Sequence, residues 1–138
     1  MEYSTLDKLG VRVSRLGFGC MRFPLTAEGK IDEPRAAAML DTAYKAGVTY
    51  YDTAYFYHQH TGEAFLGRAM KRYPRDTFYL ATKMPMSIVE SLDHAKEIFE
   101  GQLAALQTDY VDFYLLHAVN GERWKQAQEM GIVDFLLE

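Results

Sequence analysis

Short apolar runs alternate along this chain with longer segments in which apolar residues recur every three or four positions. The first pattern predicts strands and the second predicts amphipathic helices. Tyr3–Leu6 and Val11–Val13 flank the turn signal Leu9-Gly10 and predict a β-hairpin. Leu16–Cys20 predicts a first barrel-type strand, followed by a loop carrying Pro24 and Gly29. Asp32 then reads as an N-cap with Glu33 and Pro34 in the first turn. Ala36, Met39, Leu40 and Ala43 place one apolar face on that helix, and Gly47 supplies its stop.

The same unit recurs three more times. Val48–Tyr51 predicts strand two, and the polar loop His58–Thr61 leads into a helix from about Gly62 to Lys71. Thr77–Thr82 predicts strand three, bounded by Pro74 and Pro85. A helix over Ser91–Gln107 carries the stripe Leu92, Ala95, Phe99, Leu103 and Leu106. Tyr110–Leu116 predicts strand four, and a last helix begins near Gly121 and is interrupted around Gly131.

Strand–helix alternation predicts an α/β fold with a parallel sheet and right-handed crossovers. The near-continuous apolar strands suggest a sheet covered on both faces. A complete (β/α)₈ barrel takes about 250 residues. The 138 residues here hold four units, so the expectation is one domain over residues 1–138: half of a TIM barrel behind a hairpin.

Composition narrows the class. With 49% hydrophobic and 25% charged residues the chain is ordinary globular protein. A formal net charge of −4 argues against a nucleic-acid partner. No apolar stretch approaches the ~18 residues of a membrane span, and the opening residues Met1–Leu6 lack the layout of a secretory signal. One cysteine, Cys20, excludes an internal disulfide. These features lead to an expectation of a cytoplasmic location.

In parallel α/β folds chemistry gathers at the carboxyl ends of the strands. Strand two runs into Asp52-Thr53-Ala54-Tyr55-Phe56-Tyr57, strand three into Lys83, and strand four into His117. Each residue alone has an ordinary reading. The aspartate suits a turn, Tyr57 is one of ten tyrosines, and a lone lysine or histidine is usually surface or packing. Their arrival at one end of three successive strands is what joins them. A free phenol titrates near ~10, too high for easy proton exchange at neutral pH. An ammonium beside it favours the phenolate, and a carboxylate holds that ammonium in place. With a histidine to bind a carbonyl oxygen, the set suits protonation of that oxygen as hydride reaches its carbon. No side chain donates hydride, which implies a nicotinamide cofactor.

Three other readings are open on sequence. His58, His60 and His117 suggest a metal site, though without supporting carboxylate or cysteine spacing. Cys20 has no base assignable beside it. Gly17-Phe18-Gly19 lacks the third glycine of a dinucleotide fingerprint, where Arg22 stands instead.

The motifs resemble the aldo-keto reductase family over essentially the whole chain. Gly47–Ala54 resembles the segment around that family's catalytic aspartate, and Tyr57 follows at the position of its proton-donating tyrosine. Phe78–Lys83 and Asp109–His117 resemble the strands that end in its lysine and histidine, and the hairpin with Leu16–Met21 resembles its opening. The resemblance implies Tyr57 as general acid, Lys83 and Asp52 tuning it, and His117 orienting the carbonyl of a small-molecule aldehyde or ketone. It also implies NADP(H), approached by Gly19, Cys20, Met21, Arg22 and Asp52.

Gln107–Tyr110, His117–Asn120, Trp124 and Phe135-Leu136 resemble bacterial members, many of which carry a C-terminal iron–sulfur domain. A single cysteine cannot hold such a cluster. His58 departs from the family's frequent glycine, and Gly62-Glu63 from its frequent Ser-Glu. In the family, strands five to eight supply most cofactor contacts, which implies weak or lost NADP(H) binding by this chain alone. The alternative is a non-catalytic half-barrel that self-associates through its exposed strand edges.

Overall fold

The computed structural model describes residues 1–137. Strands β1 (Tyr3–Leu6) and β2 (Val11–Ser14) form the antiparallel hairpin, turned by Gly10 at φ 64°. The remaining strands are β3 (Gly17–Gly19), β4 (Tyr50–Asp52), β5 (Tyr79–Met84) and β6 (Phe113–Leu116). They make one parallel sheet in the order β3-β4-β5-β6. Helices α1 (Glu33–Lys45), α2 (Gly62–Met70) and α3 (Leu92–Leu106) follow the first three of these strands, and α4 (Gly121–Glu129) with α5 (Ile132–Phe135) follows β6. This is the expected half of a TIM barrel: four βα units behind a hairpin.

Local chemistry explains the helix ends. Asp32 caps α1 by accepting from the Arg35 amide, and Ser91 caps α3 by accepting from the His94 amide. Asn120 caps α4 in the same way through Arg123. Gly131, at φ 72°, separates α4 from α5 where the sequence predicts an interruption. The strands differ from expectation by about two residues. Strand two begins at Tyr50 rather than Val48, strand three at Tyr79 rather than Thr77, and strand four at Phe113 rather than Tyr110. Arg75–Thr77 is instead a 3₁₀ turn. Arg75 binds the carbonyls of Phe78 and Tyr110 and the Asp112 carboxylate, so strong β formers there are spent on entry to the sheet.

The core lies between the sheet and its helices. Tyr51, Leu66, Leu40 and Leu80 fill one cluster, and Met84, Met86, Ala95 and Ile132 a second. The expectation of a sheet buried on both faces needs correction. The face bearing Tyr50, Tyr79 and Phe113 has its aromatic rings in mutual contact, but Leu115 on β6 is 40% exposed. Among the described residues every helix of the core packs on the other face. Strands β3 and β6 are the two edges.

The hairpin is tied to the amino-terminal end of the sheet. Ser14 and Thr49 exchange two hydrogen bonds, amide to hydroxyl in each direction, both at 2.9 Å. Tyr3 donates its hydroxyl to the Gly47 carbonyl at 3.2 Å. Gly47 has φ 88°, and a Cβ there would lie 2.8 Å from that hydroxyl, so the glycine serves both the helix stop and the hairpin contact. The opposite end of the sheet is left open for chemistry.

Candidate active site

Asp52 is the last residue of β4, Lys83 the fifth of the six in β5, and His117 the residue after β6. Parallel register pairs Asp52 with Ala81 and Lys83 with Leu115. Asp52 and Lys83 are therefore an even number of positions apart in register and share the face away from the helices. The His117 amide donates to the Met84 carbonyl at 2.9 Å, continuing the ladder and fixing the histidine backbone. Tyr57 comes from the β4–α2 loop, where its amide donates to Ala54.

Two of the other predicted residues, Asp52 and Tyr57, meet at the Lys83 ammonium. Nζ donates to Asp52 Oδ1 at 2.6 Å and to the Thr53 carbonyl at 2.7 Å, and lies 3.4 Å from the Tyr57 hydroxyl. It also sits 5.1 Å from the centre of the Tyr57 ring. Three donors thus meet three oxygens, which accounts for a lysine side chain only 13% exposed. His117 meets Tyr57 edge-on, with ring centres 6.0 Å apart. Burial first, and then the Lys83 ammonium, hold the His117 imidazole below its ordinary range, with Asp52 opposing. A neutral imidazole near neutral pH has one N–H to offer a carbonyl oxygen.

The residues at the end of β3 and just after it divide. Gly19, Met21 and Arg22 are exposed, and Gly19 is the register partner of Asp52. Cys20 turns its side chain into the core and is 0% exposed. Burial raises the thiol's pKa well above its usual range, which also removes it as a nucleophile.

The three histidines of the metal reading separate. His58 Nε2 lies 3.0 Å from the Cys20 carbonyl, while His60 packs against the Tyr55 and Phe56 rings. Among the described residues no three His, Cys, Asp or Glu side chains are arranged to hold a metal ion, and no helix is long and apolar enough to cross a membrane.

The model of the Aldo/keto reductase family matches residues 15–130. The chain belongs to that family. Aldo-keto reductase YhdN of Bacillus subtilis is 34% identical over 125 residues, covering 85% of this chain and 38% of that protein. The holo form of an aldo-keto reductase from Bacillus halodurans superimposes with a TM-score of 0.72 at 31% identity, covering 96% of this chain and 48% of its own. An aldo-keto reductase from Klebsiella pneumoniae in complex with NADPH gives 0.73 at 25% identity, covering 97% and 47%. The chain thus spans less than half the length of each of these relatives.

In this aldo-keto reductase chain the loop after Tyr57 is strained. His58, Gln59 and His60 have φ of 52°, 54° and 66°, a left-handed run that suits glycine and costs other residues. A glycine at position 58 would take this φ without that cost. Here the His58 contact with Cys20 and the Thr61 hydroxyl bond to the His58 carbonyl hold the loop instead.

Sequence reasoning gave no role at the site to two residues beside it. Glu63 is 5% exposed and Gln102 1% exposed, and they are bonded to each other. Gln102 shares a helical face with Ala95, Ile98 and Leu106. A polar residue on that apolar face was the available signal.

Proposed function

We propose that this chain carries the proton-handling half of an NAD(P)H-dependent oxidoreductase that reduces aldehyde or ketone carbonyls, with Tyr57 as general acid. The observation that carries this reading is the Lys83 ammonium, held by Asp52 at 2.6 Å and standing 3.4 Å from the Tyr57 hydroxyl. Lys83 offsets negative charge as the Tyr57 proton leaves for a substrate oxygen. Asp52 holds the ammonium in place and aims it. His117 donates to the same substrate oxygen and orients it. These are the residues a carbonyl reductase needs on the oxygen side of the reacting bond.

A nicotinamide cofactor supplies the hydride when bound. The exposed Gly19, Met21 and Arg22, with Asp52 as the register partner of Gly19, fit one side of such a group. Arg22 is the cation they offer to it. In TIM barrels phosphate sites are frequently built from the loops after strands seven and eight, whereas four sheet strands are present here. The support for cofactor use is therefore stronger on the nicotinamide side than on the phosphate side.

The test is a chimera in which the C-terminal half of a related reductase completes the barrel. With NADPH and an aldehyde, followed by cofactor absorbance, Tyr57→Phe is expected to slow turnover by about 10²–10⁴-fold. Cofactor affinity should stay unchanged. Unchanged turnover in Tyr57→Phe refutes the role of Tyr57.

A second reading, a half-barrel that associates with its own kind, is favoured by the edges. Leu16, beside β3, is 62% exposed, Met39 on the neighbouring α1 is 43% exposed, and Leu115 on β6 is 40% exposed. Unpaired edges flanked by apolar side chains invite pairing. Light scattering at micromolar concentration distinguishes the readings: a folded monomer argues against self-association.

A further inference from the structure

The Lys83 side chain faces Tyr57, but its backbone is held by other residues. Gln102 Nε2 donates to the Lys83 carbonyl at 3.1 Å and to Glu63 Oε1 at 2.7 Å. Its other end, Oε1, accepts from the Tyr114 hydroxyl. The amide of Gln102 is thereby locked in one orientation, because flipping it would set its oxygen against the Glu63 carboxylate and the Lys83 carbonyl, both acceptors. Thr82, the residue before Lys83, donates its hydroxyl to the same Glu63 oxygen at 2.5 Å.

Glu63 is the second residue of α2, where the helix N-terminus favours an anion. The residue before it touches the general acid. The Gly62 amide donates to the Tyr57 carbonyl at 3.1 Å, and a Cβ on Gly62 would lie 3.1 Å from that oxygen. One turn of α2 therefore grips Tyr57 through residue 62 and the end of β5 through residue 63. The gap between the Tyr57 hydroxyl and the Lys83 ammonium is set across that turn.

We infer that Glu63 is a positioning residue: acting through Thr82 and Gln102, its carboxylate holds the end of β5 so that Lys83 stays against Tyr57. This inference rests on the roles proposed above for Lys83 and Tyr57. A carboxylate 5% exposed is costly to bury unless its bonds are needed. A plain packing role would be met by an apolar side chain. Burial raises the Glu63 pKa, opposed by the hydrogen bonds from Thr82 and Gln102 and by the charges of Lys83 and His60, and the phenol of Tyr114 lies nearby.

The experiment uses the His117 imidazole as a probe of where the Lys83 ammonium sits. Lys83 and Arg123 press on His117 in one direction and Asp52 in the other. The imidazole C–H resonance is followed by NMR against pH in this chain and assigned with His117→Asn. Lys83→Met is expected to raise the His117 midpoint and sets the full scale. Glu63→Ala is expected to raise it by at least half of that shift. Glu63→Gln, which keeps an acceptor for Thr82 and Gln102, should restore the wild-type midpoint. If Glu63→Ala does not fold, Gln102→Met, which removes the bond to the Lys83 carbonyl while keeping bulk, takes its place with the same expectation.

A wild-type midpoint in a folded Glu63→Ala or Gln102→Met variant overturns the inference. So does a Glu63→Gln variant that shifts as far as the alanine, because the hydrogen bonds would then not be what matters. An unmoved midpoint in Lys83→Met is a different failure: it removes Lys83 from the site and overturns the proposed function with it.

Discussion

The Lys83 ammonium and the Asp52 carboxylate, on adjacent strands, form a 2.6 Å ion pair with side chains 13% and 30% exposed. Partial burial makes this pair worth more than a surface bridge and less than a fully desolvated one. Lys83→Met leaves Asp52 without its cation. A loss of about 1–2 kcal/mol is expected, read as a lower urea midpoint in circular dichroism. A variant as stable as the wild type would mean that water replaces the ammonium at no cost.

Acid should weaken the chain partly through His117. Its folded-state affinity for a proton is lowered by burial and by Lys83. The unfolded chain, titrating near ~6.5, then takes up that proton more readily than the folded one. The stability from this group is complete above the unfolded value and is lost as pH falls through the lower folded value. Between pH 7 and pH 5 the wild type is expected to lose more stability than His117→Asn, measured by urea unfolding at each pH. Equal losses would remove His117 as a contributor.

The contact between α2 and α3 depends on Gly67. A Cβ there would lie 2.5 Å from the Leu106 carbonyl oxygen and 2.6 Å from its carbon, both backbone atoms. Backbone cannot rotate away as a side chain does. Gly67→Ala gains about 1 kcal/mol of helix propensity but must push the helices apart, at a cost of about 1–3 kcal/mol or more. Net destabilisation is expected in thermal unfolding. A higher melting temperature would show that α3 yields without penalty.

The chain alone should bind NADPH weakly or not measurably. Arg22 is the first cation after β3, and barrels commonly place phosphates at strand loops further along than the four described here. Calorimetric titration is the check, and micromolar affinity would contradict the expectation.

Much of this was legible in the sequence because it is local. Asp32, Ser91, Gly47 and Gly131 mark helix ends through hydrogen bonds and φ values that span a few residues. Strand starts were less legible. Val48, Thr77 and Tyr110 have the residue types of strands, yet the strands begin two or three residues later, and in two of the three cases the Arg75 network holds the entry. Cys20 follows a glycine strand end, and only tertiary packing shows that its side chain lies in the core.

The sequence by itself determined the alternation of strand and helix, and with it the end of the sheet to which Asp52, Tyr57, Lys83 and His117 belong. Parallel connection leaves no other choice of side. Only the tertiary structure decided that Lys83 reaches Asp52, the Thr53 carbonyl and Tyr57 together. Only it placed Glu63 and Gln102 behind that lysine. The reason is range: periodicity reports a residue's face on its own element, whereas a hydrogen bond between residues 39 positions apart depends on how two helices meet one strand.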